Sequence, residues 1–302
     1  VPAASDATER VAYLDRQGID AQWVLPTFAF NPISRLRRTQ PERGPDIMRA
    51  YNTWAAQRLS AYPERLMPVA VLDPVTMDRA TFVAELTRMR DLGSRSFLFW
   101  FGPVHGKSLS HPDLGWLWAA AADLGVIPML HVGAGRPAID AGWLNNGRSY
   151  PSSNTAYLGQ LHQIAELMLT ELLIAGAFVR HPKLRILVCE LGIDWVPTWI
   201  NRLDRYVAQQ AKTDSSRWPW PKAPSDYVKA HLRVSPLERR GAFDVIERLG
   251  DDVVVFSSDY PHPEGGSDAV ARYRDYLGPR IPAASLEKFF GSVIERDLAL
   301  GA

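Results

Sequence analysis

Residues 253–264 read VVVFSSDYPHPE. Three β-branched residues and a phenylalanine in unbroken succession make a strand covered on both faces, because a strand with one wet face alternates polar with apolar positions. The run ends in two serines and Asp259, then turns through Tyr260, Pro261, His262 and Pro263, where the prolines stiffen the chain. A carboxylate carried out of an apolar run into a turn fits a parallel α/β barrel, whose reactive side chains stand at the C-terminal ends of the strands.

Six further short apolar runs share this character: 22–27 (QWVLPT), 66–72 (LMPVAVL), 94–100 (SRSFLFW), 127–133 (IPMLHVG), 185–191 (RILVCEL) and 231–236 (HLRVSP). Segments of helical period lie between them, at 7–17, 46–61, 77–92, 114–124, 155–179, 194–211, 239–249, 268–277 and 285–299. Gly18, Gly93, Gly125 and Gly250 follow four of these as C-terminal stops. The alternation predicts repeated βα units in one domain over residues 1–302, of class α/β, a (β/α)8 TIM barrel. Seven runs are one short of the eight that close such a barrel, and the chain opens on a helix. The expectation is therefore that a first strand, with whatever it carries, is missing from this sequence.

The chain has 302 residues, 46% hydrophobic, and its 34 basic and 33 acidic residues leave a net charge of +1. No Lys/Arg run tracks a phosphate backbone, which argues against nucleic acid and anionic membrane and leaves a small-molecule substrate. Cys189, the one cysteine, cannot form an intramolecular disulfide and sits in an apolar run, which points to a reducing compartment, the cytoplasm. No apolar stretch reaches the ~18 residues of a membrane span, and the opening VPAASDATER lacks the pattern of a signal peptide.

Taking the C-terminal ends of the strands as the active face selects Trp100, His131, Glu190 and Asp259. Imidazole and carboxylates converging there suit Zn²⁺, Mn²⁺ or Fe²⁺. Each residue also has a plainer reading: His131 as a satisfied core histidine, Glu190 as the partner of an arginine on a neighbouring strand. Asp259 is the hardest to explain that way, since a carboxylate after VVVFSS is costly to bury unless paired or coordinated. Gly133 and Gly135 allow close backbone approach, and Arg136 is within reach of an anionic substrate group. His105, in the loop GPVHGK, and His262, three residues past Asp259, lie at the same end, whereas His111, His162, His181 and His231 read as structural. Trp195 and Trp199 share a helix face at i,i+4, for which packing is the default. No GxSxG elbow, P-loop or dinucleotide-binding glycine pattern occurs, and Cys189 is too embedded to act as a nucleophile.

Several segments together resemble the amidohydrolase-related proteins of the amidohydrolase superfamily, the group that includes aminocarboxymuconate-semialdehyde decarboxylase. They are AYNTWAAQRLSAYPERLMPVAVLDP, VIPMLHVGAG, LTELLIAGAFVRHPKLRILVCELGIDWVPTWINRLDRY, KAPSDYVKAHLRVSP and RLGDDVVVFSSDYPHPEGG. The sixth-strand pattern Glu-x-Gly-x-x-Trp-x-Pro is carried by Glu190, Gly192, Trp195 and Pro197. The resemblance implies that His131 is the fifth-strand metal ligand and that Asp259 is the eighth-strand aspartate that binds metal and handles a proton. It also implies a divalent metal ion (Zn, or Mn/Fe) and a homodimer. The sequence departs from the family in two places: no acidic-x-His or His-x-His pair precedes Val11, and Glu190 stands where the decarboxylases place a histidine.

The leading expectation is a metal-dependent hydrolase acting on an ester, thioester, lactone or amide. Asp259, Glu190 and His262 serve as catalytic groups; His131, Asp259 and Glu190 as metal ligands; and Arg136, Trp100, His105 and Trp195 as substrate contacts. The alternatives are non-oxidative decarboxylation of an aromatic or unsaturated carboxylic acid, and a non-catalytic barrel with a degenerate metal site.

Overall fold

A computed structural model describes residues 2–135, 159–262 and 268–299, together with Gly142, Gly147 and Gly265. All seven apolar runs line one parallel βα array. The strands are β1 (Gln22–Val24), β2 (Leu66–Pro68), β3 (Ala70–Leu72), β4 (Ser96–Phe99), β5 (Ile127–His131), β6 (Ile186–Cys189) and β7 (Leu232–Val234). β3 to β7 form a five-stranded parallel sheet in sequence order, and β1 pairs with β2 in a second sheet. β2 and β3 are halves of the single predicted run 66–72. The chain changes partner at Val69, whose amide donates to the Val24 carbonyl at 3.0 Å, so β2 lies beside β1 while β3 lies beside β4.

The 253–258 run is buried as its composition requires, with Val253 and Val254 fully covered. It pairs less than predicted: its ladder contact is the parallel bridge from Val254 to Val234. No ladder joins it to β1 among the described residues. Side chains connect the two instead. Gln22 Nε2 donates to Ser258 Oγ at 3.1 Å, Tyr13 stacks on Tyr260 with ring centroids 3.9 Å apart, and the Arg10 guanidinium lies 4.7 Å from the Tyr260 ring. The parallel array thus meets at this seam through side chains, without ladder closure among the described residues.

The helices are α1 (Ala7–Gln17), α2 (Thr27–Thr39), α3 (Gly44–Leu59), α4 (Arg79–Asp91), α5 (Gly115–Leu124), α6 (Gln163–Ile174), α7 (Ala177–Arg180), α8 (Trp195–Ala211), α9 (Pro224–His231), α10 (Arg239–Leu249), α11 (Ala269–Leu277), α12 (Ala283–Glu287) and α13 (Val293–Ala299). Asp6 and Asp78 cap α1 and α4 by accepting from Glu9 N and Thr81 N. Gly18 and Gly125 end α1 and α5 in the left-handed conformation, at φ 66° and 62°. The predicted helix 155–179 begins at Gln163 among the described residues and breaks after Ile174, where Gly176 turns at φ 69°. Two helices were not anticipated. α2 contains Pro32, which reads as a breaker, and α9 lies between the predicted helix 194–211 and the apolar run 231–236, which it enters at His231.

One buried polar knot ties the C-terminal helix to the sheet. Asp297 of α13, whose side chain is fully covered, accepts from Arg233 Nε at 2.6 Å and Arg185 Nε at 3.3 Å. No described helix is long and apolar enough to cross a membrane.

Candidate active site

β5, β6 and the 253–258 run deliver His131, Glu190 and Asp259 to the C-terminal end of the sheet, because each side chain follows the last covered residue of its run. Glu190 and Asp259 hold positive φ, 56° and 49°. That conformation is uncommon for residues with a Cβ and concentrates at functional positions. It marks the point where each chain stops being strand and turns its carboxylate sideways.

The groups meet in two contacts that share Glu190. His131 Nε2 lies 3.2 Å from Glu190 Oε1, and its Nδ1 lies 2.9 Å from the Val132 carbonyl oxygen. Both neighbours are acceptors, so each ring nitrogen needs a proton or a cation on it. Burial alone lowers the His131 pKa, but the hydrogen bond and charge of Glu190 outweigh it and the net direction is upward. Burial likewise raises the Glu190 carboxyl, and His131 reverses the sign, holding it below the ordinary value; the Asp259 carboxyl group adds a hydrogen bond. Two carboxyl groups in contact are stable only with a proton or a cation between them. On the far side, His262 Nδ1 lies 3.6 Å from Asp259 Oδ1. One ligand atom each from Glu190, Asp259 and His262 fall within 4.8 Å of one another.

The other residues singled out from the sequence spread around this centre. Trp100 is 7% exposed and stacks on Phe30 at 5.1 Å, with the Arg37 guanidinium 4.5 Å from its ring. Its indole Nε1 is buried with no hydrogen-bond partner among the described residues. Trp195 opens α8, donates to the Gly192 carbonyl at 3.0 Å and stacks on His162 at 5.9 Å. His105 sits exposed in a turn closed by the antiparallel Val104–Lys107 bridge, at φ 48°. Arg136 lies outside the described residues. His111 accepts from Asp113 N at the start of its short helix, and His181 follows α7. Cys189 is buried, which pushes its thiol up to about 12 and leaves it un-ionised at neutral pH.

Three further residues are not evident from the sequence. Asp73, at the end of β3, is fully buried and held by Arg37 in a fork at 2.7 and 3.0 Å; its position after VAVL was the available signal. Arg239 and Arg272 stand beside Asp259 along a cavity of about 340 Å³, and nothing in their local sequence marks them.

The amidohydrolase family pattern matches residues 1–292. The chain belongs to the amidohydrolase family. As an amidohydrolase it is an enzyme, built on that family's TIM-barrel plan. An amidohydrolase from Mycobacterium avium subsp. paratuberculosis is similar over 98% of this chain and 74% of its own, with a TM-score of 0.78 and 21% identity. The 5-carboxyvanillate decarboxylase of Sphingomonas paucimobilis is similar over 96% and 82%, with a TM-score of 0.71 and 21% identity. A dihydroxybenzoic acid decarboxylase from Polaromonas, whose structure contains manganese and the inhibitor 2-nitroresorcinol, is similar over 97% and 86%, with a TM-score of 0.66 and 19% identity. These likenesses concern the amidohydrolase fold. Comparison with curated proteins gave no match.

Proposed function

We propose that this amidohydrolase is a divalent-metal-dependent, non-oxidative decarboxylase of an aromatic or unsaturated carboxylic acid. The observation that carries the reading is the Glu190, Asp259 and His262 cluster, three ligand atoms within 4.8 Å at the mouth of the sheet. Its donors, two carboxylate oxygens and an imidazole nitrogen, suit Mn²⁺, Zn²⁺ or Fe²⁺, and the contact between its carboxyl groups is one that a cation relieves. Glu190, Asp259 and His262 would hold the ion, with His131 beside Glu190. Two of the similar folds belong to aromatic-acid decarboxylases, one of them with manganese, which favours this reading over hydrolysis.

When bound, the ion supplies positive charge that attracts the substrate carboxylate and withdraws electron density from it. The protein's own groups manage the proton. Loss of carbon dioxide breaks the bond between the carboxyl carbon and its neighbour and leaves the electron pair on the neighbour, which must receive one proton. Asp259 is the donor, because its carboxyl group stands at the centre of the cluster and shares hydrogen bonding with Glu190. His262 would stay a ligand of the ion, and Asp259, whose side chain is 11% exposed, would regain its proton from solvent. Glu190 keeps His131 oriented through the 3.2 Å contact with its Nε2. Trp100 and Phe30 form an aromatic wall on the β4 side of the site.

Hydrolysis is the competing reading. It draws support from Glu190, since a carboxylate at the end of β6 can take a proton from an attacking water. The experiment is carbon dioxide release from a panel of aromatic and unsaturated carboxylic acids with added Mn²⁺, run beside an ester and lactone panel. Carbon dioxide release that a chelator abolishes supports the proposal. Chelator-sensitive ester or lactone turnover without carbon dioxide release refutes it in favour of hydrolysis, and a protein silent on both panels refutes it in favour of a non-catalytic barrel.

A further inference from the structure

The cavity beside Asp259 lies between the segment that leaves β7 and helix α11, and its volume of about 340 Å³ is enough for a small organic ligand. Ser257 and Asp259 form one wall, so the cavity borders the metal-ligand cluster directly. Opposite them stand Arg239, from the first turn of α10, and Arg272, Tyr273 and Tyr276 from α11. Tyr273 is spoken for, since its hydroxyl donates to the Pro236 carbonyl at 3.0 Å, and it offers the cavity only its ring.

The cations on these walls differ in how fully they are engaged. Arg240, also on the wall, has Asp244 at 4.0 Å. Arg272 Nε lies 3.1 Å from Asp268 but out of line with it, so this buried N–H makes no hydrogen bond among the described residues, while a terminal nitrogen donates to the Gly265 carbonyl. Arg239 has neither a hydrogen bond nor an ion pair among the described residues. The carboxylates on the walls are Asp259, committed to the cluster, and Glu238, exposed at the N-cap of α10 and making no side-chain cap there. A helix start with no side-chain cap, and an arginine at its first position with no partner among the described residues, favour a negative charge in front of them.

We propose that this cavity is the subsite for a second carboxylate on the substrate, held by Arg239 with Arg272 behind it, while Tyr276 flanks the ring or chain leading to the reacting carbon. The location of the reacting carbon rests on the decarboxylase reading, but the binding test does not. Isothermal titration of the full chain with isophthalate and with benzoate, in the presence of Mn²⁺, compares ligands that differ by that one carboxylate. A forked guanidinium-carboxylate pair is expected to make isophthalate about 10- to 100-fold tighter. R239Q should abolish the preference, and R272Q should reduce it by a smaller factor. R240Q should keep it. Equal binding of the two ligands by the wild type, or a preference that survives R239Q, overturns the proposal. An Arg239-dependent preference in a protein that releases no carbon dioxide supports the subsite and counts only against the decarboxylase reading.

Discussion

Truncating Asp297 should cost about 3 kcal/mol of stability, and the structure says why the figure is neither smaller nor much larger. Asp297 has a fully covered side chain and sits against two arginines that are themselves largely buried: Arg233 with its side chain 1% exposed and Arg185 at 12%. Asp297→Ala removes the carboxylate that pairs with Arg233 and leaves a buried guanidinium without that counter-charge. Breaking a buried pair in this way costs roughly 3–5 kcal/mol. The lower end applies, because Arg233 keeps three backbone acceptors, the carbonyls of Lys229 at 3.1 Å, Ala230 at 3.2 Å and Leu232 at 2.7 Å. The first two belong to the last turn of α9, where a cation is favourably placed. Urea unfolding followed by circular dichroism would read the change as a lower midpoint at constant slope. Replacing both partners, Asp297→Leu with Arg233→Met, should recover most of the loss, since apolar packing of similar volume substitutes well for a buried ion pair. A loss below about 1 kcal/mol for the single variant, or a double variant less stable than the single, would refute the reasoning.

Three further predictions concern other parts of the chain. Burial, with Arg185 and Arg233 nearby, drives the His231 pKa down to about 4, so the folded protein holds this ring neutral, its Nδ1 donating to the Leu184 carbonyl at 2.7 Å. A depressed histidine contributes stability that is complete above its ordinary pKa and is lost as the pH falls toward the folded value. Up to about 3 kcal/mol should therefore disappear between pH 6.5 and 4, and His231→Gln should flatten that limb in urea melts at each pH. A Cβ at Gly265 would lie 2.2 Å from the Ser258 carbonyl oxygen and 2.8 Å from the Asp259 carbonyl carbon. Both are backbone atoms that cannot swing away, so Gly265→Ala should displace Asp259 and lower kcat at least about tenfold with an unchanged circular dichroism spectrum; wild-type kcat would contradict this. Trp100→Phe keeps a ring against Phe30 and removes an indole N–H that has no partner among the described residues. It should change stability by less than about 1 kcal/mol, against a loss of about 3–5 for Trp100→Ala, as read by the same melts.

The fold was legible where composition alone decides structure. Continuous apolar runs such as VVVF and ILVC need cover on both faces, and the helices between them are set by spacing and by glycine stops. Helix α2 escaped because Pro32 removes a donor inside it and only the tertiary setting decides that the helix continues. The run 66–72 divides at Val69 because its two halves meet different neighbours, which a single sequence does not reveal. At the site, Glu190 and Asp259 were readable as carboxylates at the ends of covered strands, and the positive φ at each came only with the backbone. Arg239, Arg272 and Tyr276 were not readable, since each is an ordinary residue on its own helix and becomes a cavity wall only when α10 and α11 pack together. His231 read as structural, which fits its burial, but at the start of a strand and not, as found, at the end of α9.

The central claim is that Glu190, Asp259 and His262 form a divalent-metal site. Titration of the chelator-treated protein with Mn²⁺, read by electron paramagnetic resonance, tests it directly against the Asp259→Asn variant. About one ion per chain is expected for the wild type, with loss of that binding in the variant. Binding below a tenth of an equivalent in the wild type, or undiminished binding in Asp259→Asn, would contradict it.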